Sequence, residues 1–227
     1  MRVLAIDYDE LFTNNLKYSL QQDDLIVETL TDKQDILQSV NSSKYGLILI
    51  DINMKNQNGL SLIQTIRKLN NVPIIVITTL NDEINKILSL EYGADDYMVK
   101  PINILELKAR IKTIFRRMNT ENVVNQKDLY FDDCKLSGLG RVLKKGNQEI
   151  SLTGREFDIL YTLASEPEKV FNREDLLNII WGYDYVGDIR GIDVHIRRLR
   201  KKLQNKANYP YIFTKWGSGY YFKAESE

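Results

Sequence analysis

The chain has 227 residues, long enough for two domains that each bury a core, and its 31 basic side chains balance 31 acidic ones. Zero net charge excludes a uniformly basic nucleic-acid binder, and the single cysteine, Cys134, excludes an internal disulfide. No run approaches the ~18 apolar residues of a membrane span, and the few apolar residues before Asp7 are too short for a signal peptide, so the expectation is a soluble, cytoplasmic protein with no membrane partner.

The first half alternates short apolar runs with amphipathic stretches. Residues 2–6, 25–29, 47–50, 74–77 and 96–99 read as strands and the segments between them as helices, the pattern of a parallel sheet covered on both faces. In such sheets the working site lies outside the carboxyl ends of the strands. Asp7 and Asp9 follow the first strand, Asp51 the third and Lys100 the fifth, while Thr78 closes the fourth.

Residues 119–125 are polar and lack helical periodicity, so a short linker is placed at 120–125, between a domain at 1–119 and another at 126–227. Strands dominate to about residue 152. Thr153 and Glu156 have the spacing of a capping box, and helices are expected near 154–165, 173–181 and 189–204. Residues 211–222 read as a hairpin that turns at glycines. Cys134 reads as an inert small residue in or beside a strand.

Residues 188–203 gather six of the basic side chains against only Asp188 and Asp193. At 100° per residue, Ile192, Ile196, Leu199 and Leu203 fall on one face, and Arg190, Val194, Arg197, Arg198 and Lys201 on the opposite one. The first face suits a core. The second suits a phosphate backbone and base edges, where guanidinium groups pair bidentately and a small apolar side chain such as Val194 can touch a thymine methyl. A merely solvated cationic face explains the charge but not the position of Val194.

Three segments, Gly93 to Pro101 (GADDYMVKP), Asp193 to Leu203 (DVHIRRLRKKL) and Trp216 to Tyr220 (WGSGY), resemble the OmpR/PhoB family of response regulators. The resemblance spans nearly the whole chain. It implies a doubly wound, five-stranded parallel α/β receiver, flavodoxin-like and CheY-like, followed by an α+β winged-helix domain. It also implies that a sensor histidine kinase phosphorylates Asp51, that Lys100 and Thr78 contact the phosphoryl oxygens, and that Tyr97 is the aromatic that turns inward. Mg²⁺ would be held by Asp51, the backbone carbonyl of Asn53 and, through water, Asp7. Relatives usually carry two adjacent acids after the first strand. Here the run is Asp7-Tyr8-Asp9, and a phenol in place of a hard anionic ligand weakens the metal site. Thr79, where relatives often have alanine, narrows its mouth.

The resemblance further implies a homodimer through a symmetric receiver face. Lys86 would meet Glu106, Asp96 would meet Arg110 and Asp95 would meet Arg117 across the two-fold, around Ile87, Leu90 and Ala109. In the second domain it implies a recognition helix in the major groove. Arg198 would read bases, Arg190, Arg197, Arg200 and His195 would reach phosphates, Val194 and Lys201 would complete the surface, and Lys215 would serve the wing, where Trp216 replaces a common arginine. Gly191 removes a polar contact from the first turn.

The function expected is therefore a non-enzymatic transcription regulator, with no catalytic residues, that binds promoter DNA at tandem half-sites and works with RNA polymerase. The alternative is a regulator whose receiver dimerises without phosphate. An enzyme or nucleotide-binding protein using the acidic cleft is disfavoured, because no glycine-rich loop follows the first strand and no nucleophile is paired with a base. A receiver acting only as a protein-binding module is disfavoured by the basic helix.

Overall fold

The computed structural model describes residues 1–31, 33–42, 44–54, 57–118, 127–183, 185, 187–204 and 211–224, with the backbone alone at 33, 34, 57 and 116–118. The chain separates into two compact units, Met1–Ile111 and Lys112–Glu227. The expected linker at 120–125 lies outside the described residues.

The first unit runs β1 (Arg2–Ile6), α1 (Glu10–Gln21), β2 (Ile26–Thr29), α2 (Lys33–Asn41), β3 (Leu47–Ile50), the short pair β4 (Asn53–Met54) and β5 (Gln57–Asn58), α3 (Gly59–Leu69), β6 (Ile74–Thr78), α4 (Glu83–Tyr92), β7 (Asp96–Val99) and α5 (Ile104–Met118). Five strands form one parallel sheet in the order β2-β1-β3-β6-β7. The inner runs LILI and IIVIT are buried along their whole length, as strands covered on both faces must be. The chain moves one way from β1 to β2 and the other way from β2 onward, so right-handed crossovers put α1 on one face and α2, α3 and α4 on the other. That reversal opens a crevice at the carboxyl ends of β1 and β3, where Asp7 and Asp51 stand.

The second unit continues with β8 (Leu129–Phe131), β9 (Cys134–Ser137), β10 (Val142–Lys145), β11 (Gln148–Ile150), α6 (Gly154–Ser165), α7 (Arg173–Trp181), α8 (Gly191–Leu203), β12 (Ile212–Lys215) and β13 (Gly219–Phe222). The first four strands form an antiparallel sheet in sequence order, and the last two form the hairpin. The capping box is present, with the Thr153 hydroxyl accepting from the Glu156 amide and the Glu156 carboxylate accepting from the Thr153 amide. Leu136, Leu143, Phe157, Leu160, Leu163, Leu176, Ile196, Leu199 and Ile212 belong to one buried core. Gly219, at φ +147°, lies so close to the Phe171 carbonyl that a Cβ would collide with it, which lets Phe171 and Tyr220 bridge.

Helix α8 starts at Gly191, two residues later than expected. The amides of Gly191, Ile192 and Asp193 donate to the carbonyls three residues back, making a tight turn over 188–193, and Arg190 supplies no side-chain cap. Cys134 is buried, and its thiol is pushed up to about 11 by that burial and the neighbouring Asp133 charge. It is therefore a poor nucleophile. Among the described residues no helix is long and apolar enough to cross a membrane.

Candidate functional site

In the first unit the carboxylates of Asp7 and Asp51 converge on one ammonium. Lys100 Nζ donates to Asp7 Oδ2 at 2.6 Å and to Asp51 Oδ2 at 2.8 Å, and lies 4.2 Å from the centre of the Phe12 ring. Burial works against its charge, but hydrogen bonds to Asp51 and Asp7 overcome that and hold Lys100 above its ordinary value. The other carboxylate oxygens are also occupied: Asp7 Oδ1 accepts from the Asp9 amide at 2.9 Å, and Asp51 Oδ1 from the Asn53 amide at 2.7 Å. The Asn53 side chain donates to Thr79 Oγ1 at 3.1 Å, across the mouth.

Two neighbours that could add ligands are engaged elsewhere. Tyr8 donates its hydroxyl to the Thr31 carbonyl at 2.8 Å, and Asp9 caps α1 by accepting from the Phe12 amide at 2.9 Å. Mg²⁺ needs several hard oxygens in near-octahedral array. The pocket offers two carboxylates that share one ammonium, the Asn53 backbone, and a phenol turned to a carbonyl. This set has one hard anionic ligand fewer than the two adjacent acids of relatives would give, and among the described residues no group of three or more histidine, cysteine or carboxylate ligands comes together.

Thr78 is fully buried and its hydroxyl accepts, at 3.5 Å, from the Leu80 amide. Tyr97 is turned inward, with its hydroxyl donating to the Leu80 carbonyl at 2.6 Å. Burial, with the charges of Asp82 and Asp51, pushes its phenol up to about 12.

On the receiver face, several of the residues named for the interface have partners within their own chain. Arg110 is buried and donates to Asp96 of its own chain at 2.6 Å and to Glu106, one helical turn away, at 2.5 Å. Asp95 is 2% exposed, accepts from Arg67 at 2.6 Å and takes the Ile74 amide at 2.9 Å. Within one protomer these acids therefore have arginine partners from their own chain. The cause is local: α5 and α3 each bring an arginine over an end of β7, which a helical wheel of α5 alone does not show. Leu90 is buried, Lys86 and Ile87 are partly exposed, and Ala109 is exposed. The side chain of Arg117 lies outside the described residues.

In the second unit Arg197, Lys201 and Lys215 are exposed, as is Arg190, which pairs with Asp188 at 2.9 Å. Four of the residues named for DNA are placed otherwise than a helical wheel suggests. Arg198 lies 2.9 Å from Glu156, whose carboxylate is fully buried. Arg200 is turned to the hairpin, donating to the Ile212 carbonyl at 2.7 Å and Thr214 Oγ1 at 2.8 Å. His195 is fully buried, 5.5 Å from the Trp181 ring, so it is a core group and cannot reach phosphate. Val194, although opposite the apolar face, keeps only 6% exposure, because a wheel shows what a helix turns away from its core but not what packs there.

Glu156 escaped the sequence reading as more than a cap. It also accepts from Lys202 at 2.7 Å, so one buried carboxylate joins the first turn of α6 to two cations of α8. Asp193 accepts from Arg173 and from the Tyr220 hydroxyl, each at 2.7 Å, tying α7, α8 and β13 together. No spacing in the sequence signals either cluster.

A family model described as response regulator receiver domain matches residues 3–112, and one described as transcriptional regulatory protein, C terminal, matches residues 147–222. A two-component response regulator from Clostridium difficile is 31% identical, over 52% of this chain and 98% of that one, with a TM-score of 0.50. DrrB of Thermotoga maritima, an OmpR/PhoB homolog, is 29% identical over 98% of this chain and 99% of its own, with a TM-score of 0.50. The chain belongs to the OmpR/PhoB response regulators. A cysteine-to-serine mutant of RitR shares 27% identity over 99% of both chains, with a TM-score of 0.80. This response regulator thus combines a receiver with an OmpR-type DNA-binding domain. Receivers of the family generally bind Mg²⁺ at the phosphorylation site.

Proposed function

We propose that this response regulator is a sequence-specific transcription factor whose receiver, residues 1–119, works with little dependence on Mg²⁺-assisted phosphorylation. A linker at 120–125 would join it to the DNA-binding domain at 126–227, in a cytoplasmic homodimer that docks on tandem promoter half-sites. The observation that carries this reading is Tyr8, at the position where relatives carry a second acid, with its hydroxyl tied to the Thr31 carbonyl. Control then falls to association of receivers, to abundance, or to a protein partner.

Slow phosphorylation of Asp51 by a sensor kinase is the second reading. It is favoured by the position of Asp51 at the end of β3, with Thr78, Lys100 and the inward Tyr97 in the places the family uses. On the DNA side, exposed Arg197, Lys201, Arg190 and Lys215 supply phosphate contacts, and two copies of α8 in successive major grooves need half-sites about 10–11 base pairs apart. RNA polymerase is the partner through which such a factor acts.

Labelling by a small-molecule phosphodonor with Mg²⁺ tests the pocket. Wild type should label weakly, Tyr8→Asp strongly, and Asp51→Ala in either background not at all. Wild-type labelling as fast as that of Tyr8→Asp at low Mg²⁺ contradicts the proposal.

A further inference from the structure

Asp188 holds Arg190 by its backbone and its side chain at once. The carboxylate accepts from the Arg190 amide at 2.8 Å, from Nε at 3.2 Å to each oxygen, and from Nη2 at 2.9 Å to Oδ2. The Asp188 carbonyl takes the Gly191 amide at 3.0 Å, so the acid is built into the tight turn that opens α8. Its side chain is only 16% exposed, whereas that of Arg190 is 56% exposed.

An exposed ion pair usually contributes little to stability, because the side-chain freedom lost in making it cancels most of the attraction. Here one partner is already fixed by the backbone. A planar guanidinium held along its Nε–Nη2 edge has its plane set before any ligand arrives. Arg190 stands at the N-terminal end of α8, where a recognition helix comes nearest to base edges, and exposed Arg197 and Lys201 follow on the same helix. An acid beside a polyanion is repelled by it. Charge alone therefore makes Asp188 unfavourable to DNA, and orientation makes it favourable.

Resting on the reading that α8 enters the major groove, we propose that Asp188 is a positioning residue, which presents the guanidinium of Arg190, already oriented, to a pair of acceptor atoms on the DNA. Two such pairs line the groove, the oxygens of one phosphate and the O6 and N7 of a guanine, and both suit a fork of parallel N–H groups. The side chain is ordered when the domain folds and not when it binds. The contact is thereby tighter by about two- to tenfold than that of an arginine left to rotate.

The test uses the full-length protein and a duplex selected by it from a random library. Asp188→Asn keeps an oxygen for the Arg190 amide but removes the charge and the second acceptor for the side chain. Positioning predicts that affinity falls about two- to tenfold, whereas charge alone predicts that it rises, because an acid beside a polyanion has been removed. In an Arg190→Lys background, which keeps the cation but lacks the fork, Asp188→Asn should no longer lower affinity, a coupling that a merely structural acid does not show. Scans with 7-deazaguanine and with methylphosphonate identify the acceptor: the substitution that weakens wild type but not Arg190→Lys marks a guanine or a phosphate, respectively. An unchanged or raised affinity in Asp188→Asn, an equal fall in both backgrounds, or the absence of any position in either scan that depends on Arg190 overturns the proposal. Arg197→Ala is the control: if it too binds normally, the reading of α8 has failed, and not only that of Asp188.

Discussion

Arg198 of α8 lies 2.9 Å from Glu156 of α6, a carboxylate with no exposure to solvent. Burial works against the Glu156 charge, but Arg198, Lys202 and the Thr153 amide together hold its carboxyl below the ordinary value of 4.5. The recognition helix is thus seated by charge as well as by its apolar face. A basic residue on a DNA-binding helix need not be a DNA ligand.

Glu156→Gln leaves two cations facing a buried neutral amide and should cost about 3 kcal/mol in the second unit, read from urea unfolding followed by Trp181 fluorescence. The carboxyl is lowered in the folded state, so its contribution is full above about pH 4.5 and is lost as pH falls from there through the folded value. The gap between wild type and Glu156→Gln should accordingly narrow on acidification below 4.5. A gap that stays constant down to pH 3 rules out the clamp.

Arg197 and Arg198 are adjacent but should behave differently. Arg197→Ala should weaken binding to all duplexes alike and lower the salt slope by about 0.9, because its side chain is exposed. Arg198→Ala should lower unfolding stability by about 1–3 kcal/mol and change the salt slope little. A stable Arg198→Ala protein that has lost discrimination at one base pair would restore that residue as a reader.

Much of the fold was legible because burial writes itself into local sequence. Runs such as LILI and IIVIT become strands in a sheet covered on both faces, and Ile192, Ile196, Leu199 and Leu203 mark the inner face of α8. Side-chain partnerships were less legible. Arg198 finds Glu156 42 positions away, Arg200 finds Thr214 on a later strand, and Asp95 finds Arg67 on an earlier helix. Each pairing depends on how elements pack, so basic residues that looked equivalent along α8 divide into exposed cations and internal struts. The pocket was read more fully, because Asp7, Asp51, Thr78 and Lys100 sit at strand ends, where topology alone brings them together.

On the receiver, Arg110→Glu should destabilise the monomer itself, since Asp96 is buried and then faces like charge. A loss of about 3 kcal/mol, independent of protein concentration, is expected from chemical denaturation at two concentrations tenfold apart. Adding Asp96→Arg should recover part of it. A loss seen only where wild type is dimeric would move the pair back to the interface.

The most direct test of a receiver that works without Mg²⁺-assisted phosphorylation is the affinity of full-length protein for its selected duplex, with and without Mg²⁺ and beryllofluoride. Wild type should bind with the same affinity and oligomeric state in both conditions, whereas Tyr8→Asp, which restores a hard anionic ligand, should respond to the additives. A wild-type protein that turns from weak monomer to tight-binding dimer only when Mg²⁺ and beryllofluoride are added would contradict the claim that Tyr8 has freed this receiver from Mg²⁺-assisted phosphorylation.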